Sequence, residues 1–137
     1  MSKKTVLFLC THNAARSQMA EGLLRTLFDD RYEVYSAGVQ PTVVDPDAIA
    51  VMKEIGIDIS AHQSKSINEF QDIVFDYVVT VCDHAKRTCP FFPGKILIHR
   101  RFEDPTSYRE FQRIRDEMKQ WIIDTFSEEE TPKDPTL

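Results

Sequence analysis

The sequence lacks an apolar run long enough to cross a membrane. The apolar stretch that follows the basic N-terminus covers only residues 5–10, which is too short for the hydrophobic region of a secretory signal peptide, and no small-residue cleavage site is apparent. We therefore expect a cytoplasmic protein that does not associate with membranes.

The chain also lacks an excess of positive charge. Its 17 Lys and Arg residues against 22 Asp and Glu residues give a net charge of −5, which argues against nonspecific binding to nucleic acid. Cysteine is scarce: Cys10, Cys82 and Cys89 form an odd set in a chain expected in a reducing compartment. A disulfide framework is therefore not expected, and the three thiols are either reactive or simply buried.

Short apolar runs alternate with longer segments of helical periodicity. The runs predict strands over residues 5–9, 32–36, 76–81 and 95–99, with a turn at Ala37-Gly38. The helical periodicities predict helices over residues 17–28, from Pro46 to a stop at Gly56, and over 107–126. This alternation predicts a single-domain α/β fold over residues 1–126, with a right-handed, doubly wound, four-stranded parallel sheet flanked by helices. Residues 127–137 read as an acidic, frayed tail.

The first predicted strand and helix are joined by a loop of unusual composition. It reads Cys10-Thr11-His12-Asn13-Ala14-Ala15-Arg16-Ser17. Successive backbone N–H groups and the positive end of a helix dipole form a pocket for an anion at such a loop. Arg16 adds a charged fork for two oxygens of a tetrahedral oxyanion, and the same surroundings favour the thiolate of Cys10. We therefore expect this loop to bind an oxyanion and Cys10 to attack it. Ser17 is placed to cap the helix and can also donate to the thiolate. A buried strand-end cysteine followed by a chance arginine is the alternative.

The loop and four further segments together resemble the low-molecular-weight protein tyrosine phosphatase superfamily, and within it the thioredoxin-coupled arsenate reductases. The further segments are Gln18-Met19-Ala20-Glu21-Gly22, Ser36-Ala37-Gly38, Thr80-Val81-Cys82 and Glu103-Asp104-Pro105. The resemblance runs from Lys4 to about Phe126 in the same order. It implies a monomeric enzyme without a bound cofactor, which reduces arsenate to arsenite and is itself reduced by thioredoxin.

In such enzymes the resemblance implies a thiol relay. Cys10 forms a covalent adduct with arsenic, Cys82 attacks Cys10, and Cys89 attacks Cys82, so that a Cys82–Cys89 disulfide reaches the reductant. A helical segment would hold the α-carbons of residues 82 and 89 about 10 Å apart, whereas a disulfide tolerates about 7 Å at most. That disulfide therefore requires the segment to loop out or unwind. The alternative interpretation is that Cys82 and Cys89 are two unrelated thiols.

The resemblance assigns roles to several further residues. It makes Asp104 the general acid, although an Asp-Pro turn explains the same residues. Some reductases of the family bind potassium at positions that match Asn13, Glu21, Ser36 and a threonine, but the last position here is Gln63, so the sequence leaves a potassium site open without favouring it. We expect Asn13, Ser17, Glu21 and Ser36 to form a hydrogen-bond network that supports the loop. We predict no metal site formed by the histidines and cysteines.

The sequence alone is also compatible with two other functions. One is a low-molecular-weight tyrosine phosphatase that uses Cys10, Arg16 and Asp104. Thr106 weakens this reading, since phosphatases of this group resemble one another in an aromatic residue at that position. The other is a redox-sensing or anion-binding adaptor, with Cys82 and Cys89 as the sensor. His12, which stands where many reductases have glycine, is either an added donor to the anion or an ordinary histidine.

Overall fold

A computed structural model of the chain describes residues 3–81 and 92–127. Four strands, β1 (Lys4–Cys10), β2 (Tyr32–Gly38), β3 (Phe75–Thr80) and β4 (Gly94–His99), form one sheet in the order β2-β1-β3-β4. Each neighbouring pair is parallel. The predicted four-stranded parallel sheet is therefore confirmed.

Three helices cover the sheet in the described part of the chain: α1 (Arg16–Leu27), α2 (Pro46–Glu54) and α3 (Tyr108–Phe126). Their apolar stripes pack on one face of the sheet, against Val6 and Phe8 of β1. The opposite face carries Leu7 and Leu9 and is covered in part by a short 3-10 helix, Ile67–Phe70, which the sequence patterns did not predict. Because β1 is buried on both faces, it reads in the sequence as a continuous apolar run.

Most predicted boundaries agree with the structure to within one or two residues. Gly56 has a φ of 81° and follows the end of α2, as predicted for a glycine that stops a helix. The predicted turn at Ala37-Gly38 is wrong, because β2 continues through Gly38 and pairs there with Cys10. A strand, unlike a turn, brings these residues beside the carboxyl end of β1.

Several predictions fall outside the described residues. These are the positions of Cys82 and Cys89 and, apart from Ser127, the tail predicted over residues 127–137. Within residues 3–81 and 92–127, no helix has both the length and the apolar character that a membrane crossing requires.

Candidate active site

Cys10 is the last residue of β1, the strand on either side of which the chain adds its later strands. The chain passes from β1 to β2 on one side, and β3 lies on the other side. The carboxyl end of such a strand is the place where parallel α/β sheets bind ligands. Val81, the residue before Cys82, donates its backbone N–H to the carbonyl of Leu9 at 3.0 Å. In the sequence, Cys10 directly follows Leu9 and Cys82 directly follows Val81, and Leu9 and Val81 are joined by this hydrogen bond.

The backbone carbonyls of the loop point away from the pocket and are held by their surroundings. The carbonyls of Thr11, His12 and Ala14 accept hydrogen bonds from the backbone N–H groups of residues 40, 42 and 45, at 2.8, 3.3 and 2.8 Å. The carbonyl of Asn13 accepts from Nε2 of Gln18 at 3.1 Å. In a planar trans peptide the N–H points opposite to the C=O, so the N–H groups that follow these carbonyls point inward. This arrangement is a backbone nest of the kind that binds anions.

Gly38 allows the loop to approach β2 closely. A Cβ atom on Gly38 would lie 2.6 Å from the carbonyl oxygen of Thr11 and 2.9 Å from the backbone nitrogen of Asn13. Both contacts are with backbone, which cannot move aside as a flexible side chain does. The absence of a side chain at residue 38 is therefore a condition for the shape of the loop.

The Cys10 thiol lies between two groups that hold its sulfur. Its Sγ is 2.9 Å from Oγ of Ser17 and accepts the backbone N–H of Asn13 at 3.2 Å. Ser17 does not cap α1, contrary to the prediction. The residue before the helix is Ala15, and no side chain caps it. Because α1 already begins at Arg16, Ser17 lies in its first turn and its hydroxyl reaches the sulfur, which is the other role that the sequence suggested for it.

The orientation of Asn13 decides which way the hydrogen bonds run. Its Oδ1 accepts the backbone N–H of Lys65 at 2.8 Å, and a backbone N–H can only donate. Its Nδ2 therefore donates to Oγ of Ser17 at 2.8 Å and to Oγ of Ser36 at 2.9 Å. The Ser17 hydroxyl accepts from Asn13, so its single hydrogen is available to Cys10. A sulfur that receives donors from Ser17 and from a backbone N–H is stabilised as the thiolate.

Asn13 adopts a left-handed backbone conformation with a φ of 53°. A non-glycine residue in this region carries strain, which asparagine tolerates better than most residues. The side chain is fully buried, and its hydrogen bonds tie the loop to α1, β2 and residue 65. The surrounding contacts thus hold the strained conformation in place.

A second layer of polar side chains supports Asn13 from behind. Gln18 is fully buried, and its Nε2 donates one hydrogen to the carbonyl of Gln63 at 2.9 Å. The other hydrogen is shared between the backbone carbonyl and Oδ1 of Asn13, at 3.1 and 3.0 Å. Its Oε1 then faces Nδ1 of His62 at 2.9 Å, so His62 carries its hydrogen on Nδ1. Nε2 of His62 lies 3.2 Å from Nη1 of Arg25 and accepts from it. Burial lowers the pKa of His62, the nearby Arg25 lowers it further, and the carboxylate of Glu21 opposes both effects. The ring is thereby kept neutral.

A cavity of about 170 Å³ opens in front of Cys10. It is lined by Cys10, His12, Ala14, Ala15, Arg16, Asp45, Asp104, Pro105 and Phe111. Nη1 of Arg16 donates to the carbonyl of Phe102 at 3.0 Å, and its Nη2 lies 3.7 Å from Oδ1 of Asp104. The side chain of Arg16 is 14% exposed and that of Asp104 is 75% exposed. The guanidinium is thus anchored on one side, and the carboxylate is free to approach a bound group.

The oxygen atoms that would hold a potassium ion are already engaged. Oδ1 of Asn13 accepts two N–H groups, and the Ser36 hydroxyl accepts from Asn13 and donates to Oε1 of Glu21 at 2.5 Å. Oε2 of Glu21 is ion-paired with Arg25. A cation bound between Asn13, Ser36 and Glu21 would also lie close to the guanidinium of Arg25, and the two positive charges would repel each other. The side chains present therefore do not fit a bound monovalent ion. Elsewhere in the described residues, no three His, Cys, Asp or Glu side chains cluster in a way that could hold a metal.

The structure brings together most of the residues singled out in the sequence. Cys10, Arg16 and Asp104 share the cavity, and Asn13, Ser17, Glu21 and Ser36 form one hydrogen-bonded network beneath the loop. His12 is also among the residues that line the cavity.

Sequence reasoning missed the supporting roles of four residues: Gly38, Gln18, Arg25 and His62. One signal was present for Gln18 and Gly38, since both stand in segments that carry the family resemblance.

Comparison with known proteins agrees with this geometry. The sequence profile of the low molecular weight phosphotyrosine protein phosphatases matches residues 5–130. The chain belongs to this family. Among its relatives in the family, arsenate reductase 1 of Staphylococcus epidermidis is 48% identical over 130 residues, which cover 93% of this chain and 98% of the relative.

Solved structures of the family are also similar. A structure described as an arsenate reductase in the oxidized state superposes with a TM-score of 0.82 at 33% identity, covering 91% of this chain and 98% of that chain. The thioredoxin-dependent arsenate reductase of Corynebacterium glutamicum superposes with a TM-score of 0.76 at 31% identity, covering 91% of this chain and 61% of that chain. The resemblance stated from the sequence is thus confirmed.

Proposed function

We propose that this protein reduces arsenate to arsenite, with Cys10 as the nucleophile. The observation that carries the proposal is the setting of the Cys10 sulfur, which receives the Ser17 hydroxyl and a backbone N–H at the floor of a small cavity. Arsenate is a compact tetrahedral oxyanion whose oxygens match an inward-pointing set of N–H groups and the fork of Arg16. Nearly half of the sequence is shared with a protein named arsenate reductase.

In the first step the Cys10 thiolate attacks arsenic and a sulfur–arsenic bond forms. One arsenic–oxygen bond breaks, and the oxygen leaves as water after it has received protons. Asp104 is exposed at the edge of the cavity and supplies one of these protons as the general acid. Arg16 and the loop N–H groups hold the remaining oxygens, and their charge is needed most when negative charge develops in the transition state.

The second step moves two electrons from thiols to arsenic, and the third step is a thiol–disulfide exchange. The thiolate of Cys82 attacks Sγ of Cys10, a disulfide forms, and the electron pair of the sulfur–arsenic bond stays with arsenic, which leaves as arsenite. Cys89 then attacks Cys82 and frees the Cys10 thiolate. These roles rest on the family resemblance and on the sequence positions of the two cysteines, which lie outside the described residues.

A dithiol reductant must restore the Cys82–Cys89 pair after each cycle. We propose thioredoxin for this role, and support comes from the similar structure that is described as thioredoxin-dependent. A reducing cytoplasm is the compartment in which such a cycle runs, because it keeps the three thiols reduced between turnovers.

Arsenate-dependent oxidation of NADPH in the presence of thioredoxin and thioredoxin reductase tests the proposal. Cys10→Ser, Cys82→Ser and Cys89→Ser should each abolish multiple turnover. A single-turnover measurement separates the three. Cys89→Ser should release one equivalent of arsenite and hold a Cys10–Cys82 disulfide, whereas Cys82→Ser should release none. Full turnover by Cys82→Ser would contradict the relay. The same assay with glutathione, glutaredoxin and glutathione reductase in place of thioredoxin and its reductase tests the reductant.

A phosphatase is the second candidate, because the family profile and the set of Cys10, Arg16 and Asp104 both suit phosphoester hydrolysis. This reaction needs only the nucleophile, the arginine and the acid. Hydrolysis of p-nitrophenyl phosphate should therefore survive in Cys82→Ser and Cys89→Ser and disappear in Cys10→Ser. Efficient hydrolysis together with no arsenate turnover by the wild type would favour the phosphatase.

A further inference from the structure

Glu21 is a charged side chain in a nearly buried position of α1. Only 5% of its side chain is exposed. Loss of hydration disfavours the ionised form of a carboxyl group, so a carboxylate at this depth needs a counter-charge. Its Oε1 accepts the hydroxyl of Ser36, which is neutral. The counter-charge must therefore reach Oε2.

Arg25 supplies this charge from one turn further along α1. Its Nη2 donates both to Oε2 of Glu21 and to the carbonyl of Val34 in β2, the latter at 2.6 Å. Its Nη1 donates to His62. The guanidinium therefore joins α1, β2 and the segment before the 3-10 helix, and it occupies the side of Glu21 from which a bound cation would otherwise act.

From Glu21, a chain of directed hydrogen bonds leads to the nucleophile. Glu21 accepts from Ser36, Ser36 accepts from Asn13, and Asn13 also donates to Ser17, which faces Cys10. The donor hydrogens of Asn13, Ser36 and Ser17 are all used within this chain. Without Arg25, Oε2 of Glu21 would be a buried charge with no partner, and the carboxylate that orients Ser36 and Asn13 would no longer be held in place.

We infer that Arg25 is a positioning residue that serves as the built-in counter-cation of Glu21, so that the oxyanion loop keeps its shape and the reactivity of Cys10 without a bound monovalent metal ion. The inference rests on the proposed function in taking Cys10 as the nucleophile. Its test measures the loop itself and does not depend on arsenate turnover.

The experiment compares Arg25→Ala, Arg25→Lys and the wild type in potassium chloride and in choline chloride at equal ionic strength. The readouts are the rate of iodoacetamide alkylation at Cys10, resolved by peptide mass spectrometry, and the thermal unfolding temperature. Arg113→Ala is the matched control, because Arg113 is 43% exposed against 41% for Arg25 and also pairs with a carboxylate four residues away.

The wild type and Arg113→Ala should react at the same rate in both salts. Arg25→Ala should react about tenfold more slowly in choline chloride, and potassium or millimolar guanidinium should restore much of the loss. Arg25→Lys keeps the charge, so it should lose less and show no response to potassium. This variant and the wild-type comparison decide the question even if Arg25→Ala does not fold.

Three results would overturn the inference. The first is a wild-type protein whose Cys10 reactivity or unfolding temperature rises saturably with potassium. The second is an Arg25→Ala variant that reacts as fast as the wild type. The third is a loss of reactivity in Arg25→Ala that neither potassium nor guanidinium restores, or an equal loss in Arg25→Lys, since either would show that packing and not charge explains the role.

Discussion

The two sides of the oxyanion loop differ in burial and in hydrogen bonding. On the interior side, Asn13, Ser17 and Ser36 are fully buried, and the donor and acceptor of each hydrogen bond among them are determined. On the cavity side, the side chain of Asp104 is 75% exposed and lies 3.7 Å from Arg16. The interior side contains no buried polar side-chain atom without a partner in the described residues. The difference shows a division of tasks. The interior groups fix the geometry of the sulfur and the loop, and the cavity groups keep the freedom to exchange partners when a substrate binds.

Of the substitutions considered, replacing Gly38 by alanine should distort the loop on its interior side most severely. The added Cβ would press on the loop backbone, so we expect a loss of about 1 to 3 kcal/mol in the free energy of unfolding and a fall of about 100-fold in arsenate turnover. Gly56→Ala is the control, because its Cβ would meet no atom within 4 Å and only the φ of 81° would be strained, so it should cost stability without slowing alkylation of Cys10. Thermal unfolding and Cys10 alkylation measure the two effects, and an equal loss of reactivity in both variants would contradict this account.

Replacing Asp104 by asparagine should affect the cavity side alone. We expect a fall of about 100-fold in arsenate turnover, since the general acid is lost. The unfolding temperature should not change, because an exposed ion pair contributes little to stability. Alkylation of Cys10 should also stay at the wild-type rate. Glu103→Gln changes the neighbouring carboxylate and should leave turnover intact; comparable losses in the two variants would remove the role assigned to Asp104.

Replacing Ser17 by alanine should have an effect smaller than either of these two substitutions. The sulfur of Cys10 loses its hydroxyl donor while the loop keeps its backbone contacts. We expect alkylation of Cys10 at pH 7 to slow by about tenfold, with its pH profile displaced to higher pH, because less of the cysteine is thiolate. Ser66→Ala is the control, since Ser66 caps the 3-10 helix and should cost stability without moving the profile. An unchanged profile in Ser17→Ala would contradict the donor role.

The smallest effect is expected from His62 in the outer layer. Burial lowers its pKa below the ordinary value of 6.5 in the folded state, so the unfolded chain takes up the proton first. The stability is complete above pH 6.5 and declines as the pH falls below it. His62→Gln removes this titration. The difference in unfolding temperature between pH 7 and pH 5.5 should then be smaller than in the wild type by about 2 °C. The same decline in both proteins would assign it to other groups.

Local patterns in the sequence were sufficient for the elements of the fold and for the centre of the site. The apolar run before Cys10 and the periodicity after Ser17 are properties of neighbouring residues, and they correctly predicted a buried strand, a helix and the loop between them. The same patterns were wrong about Ser17 as a helix cap and about a turn at Ala37-Gly38. Whether a serine caps a helix or faces a sulfur depends on a shift of one residue at the helix start, which periodicity does not resolve.

The sequence by itself determined that Cys10 and Arg16 share a strand-to-helix loop, because six residues of chain cannot carry them far apart. Only the tertiary structure decided what surrounds that loop. Arg25 meets His62, and His62 meets Gln18, across 37 and 44 residues of chain. Gly38 lies beside Cys10 because β2 pairs with β1. Such partners are set by the order and register of the strands, which follow from the packing of the whole chain and leave no local pattern in the sequence.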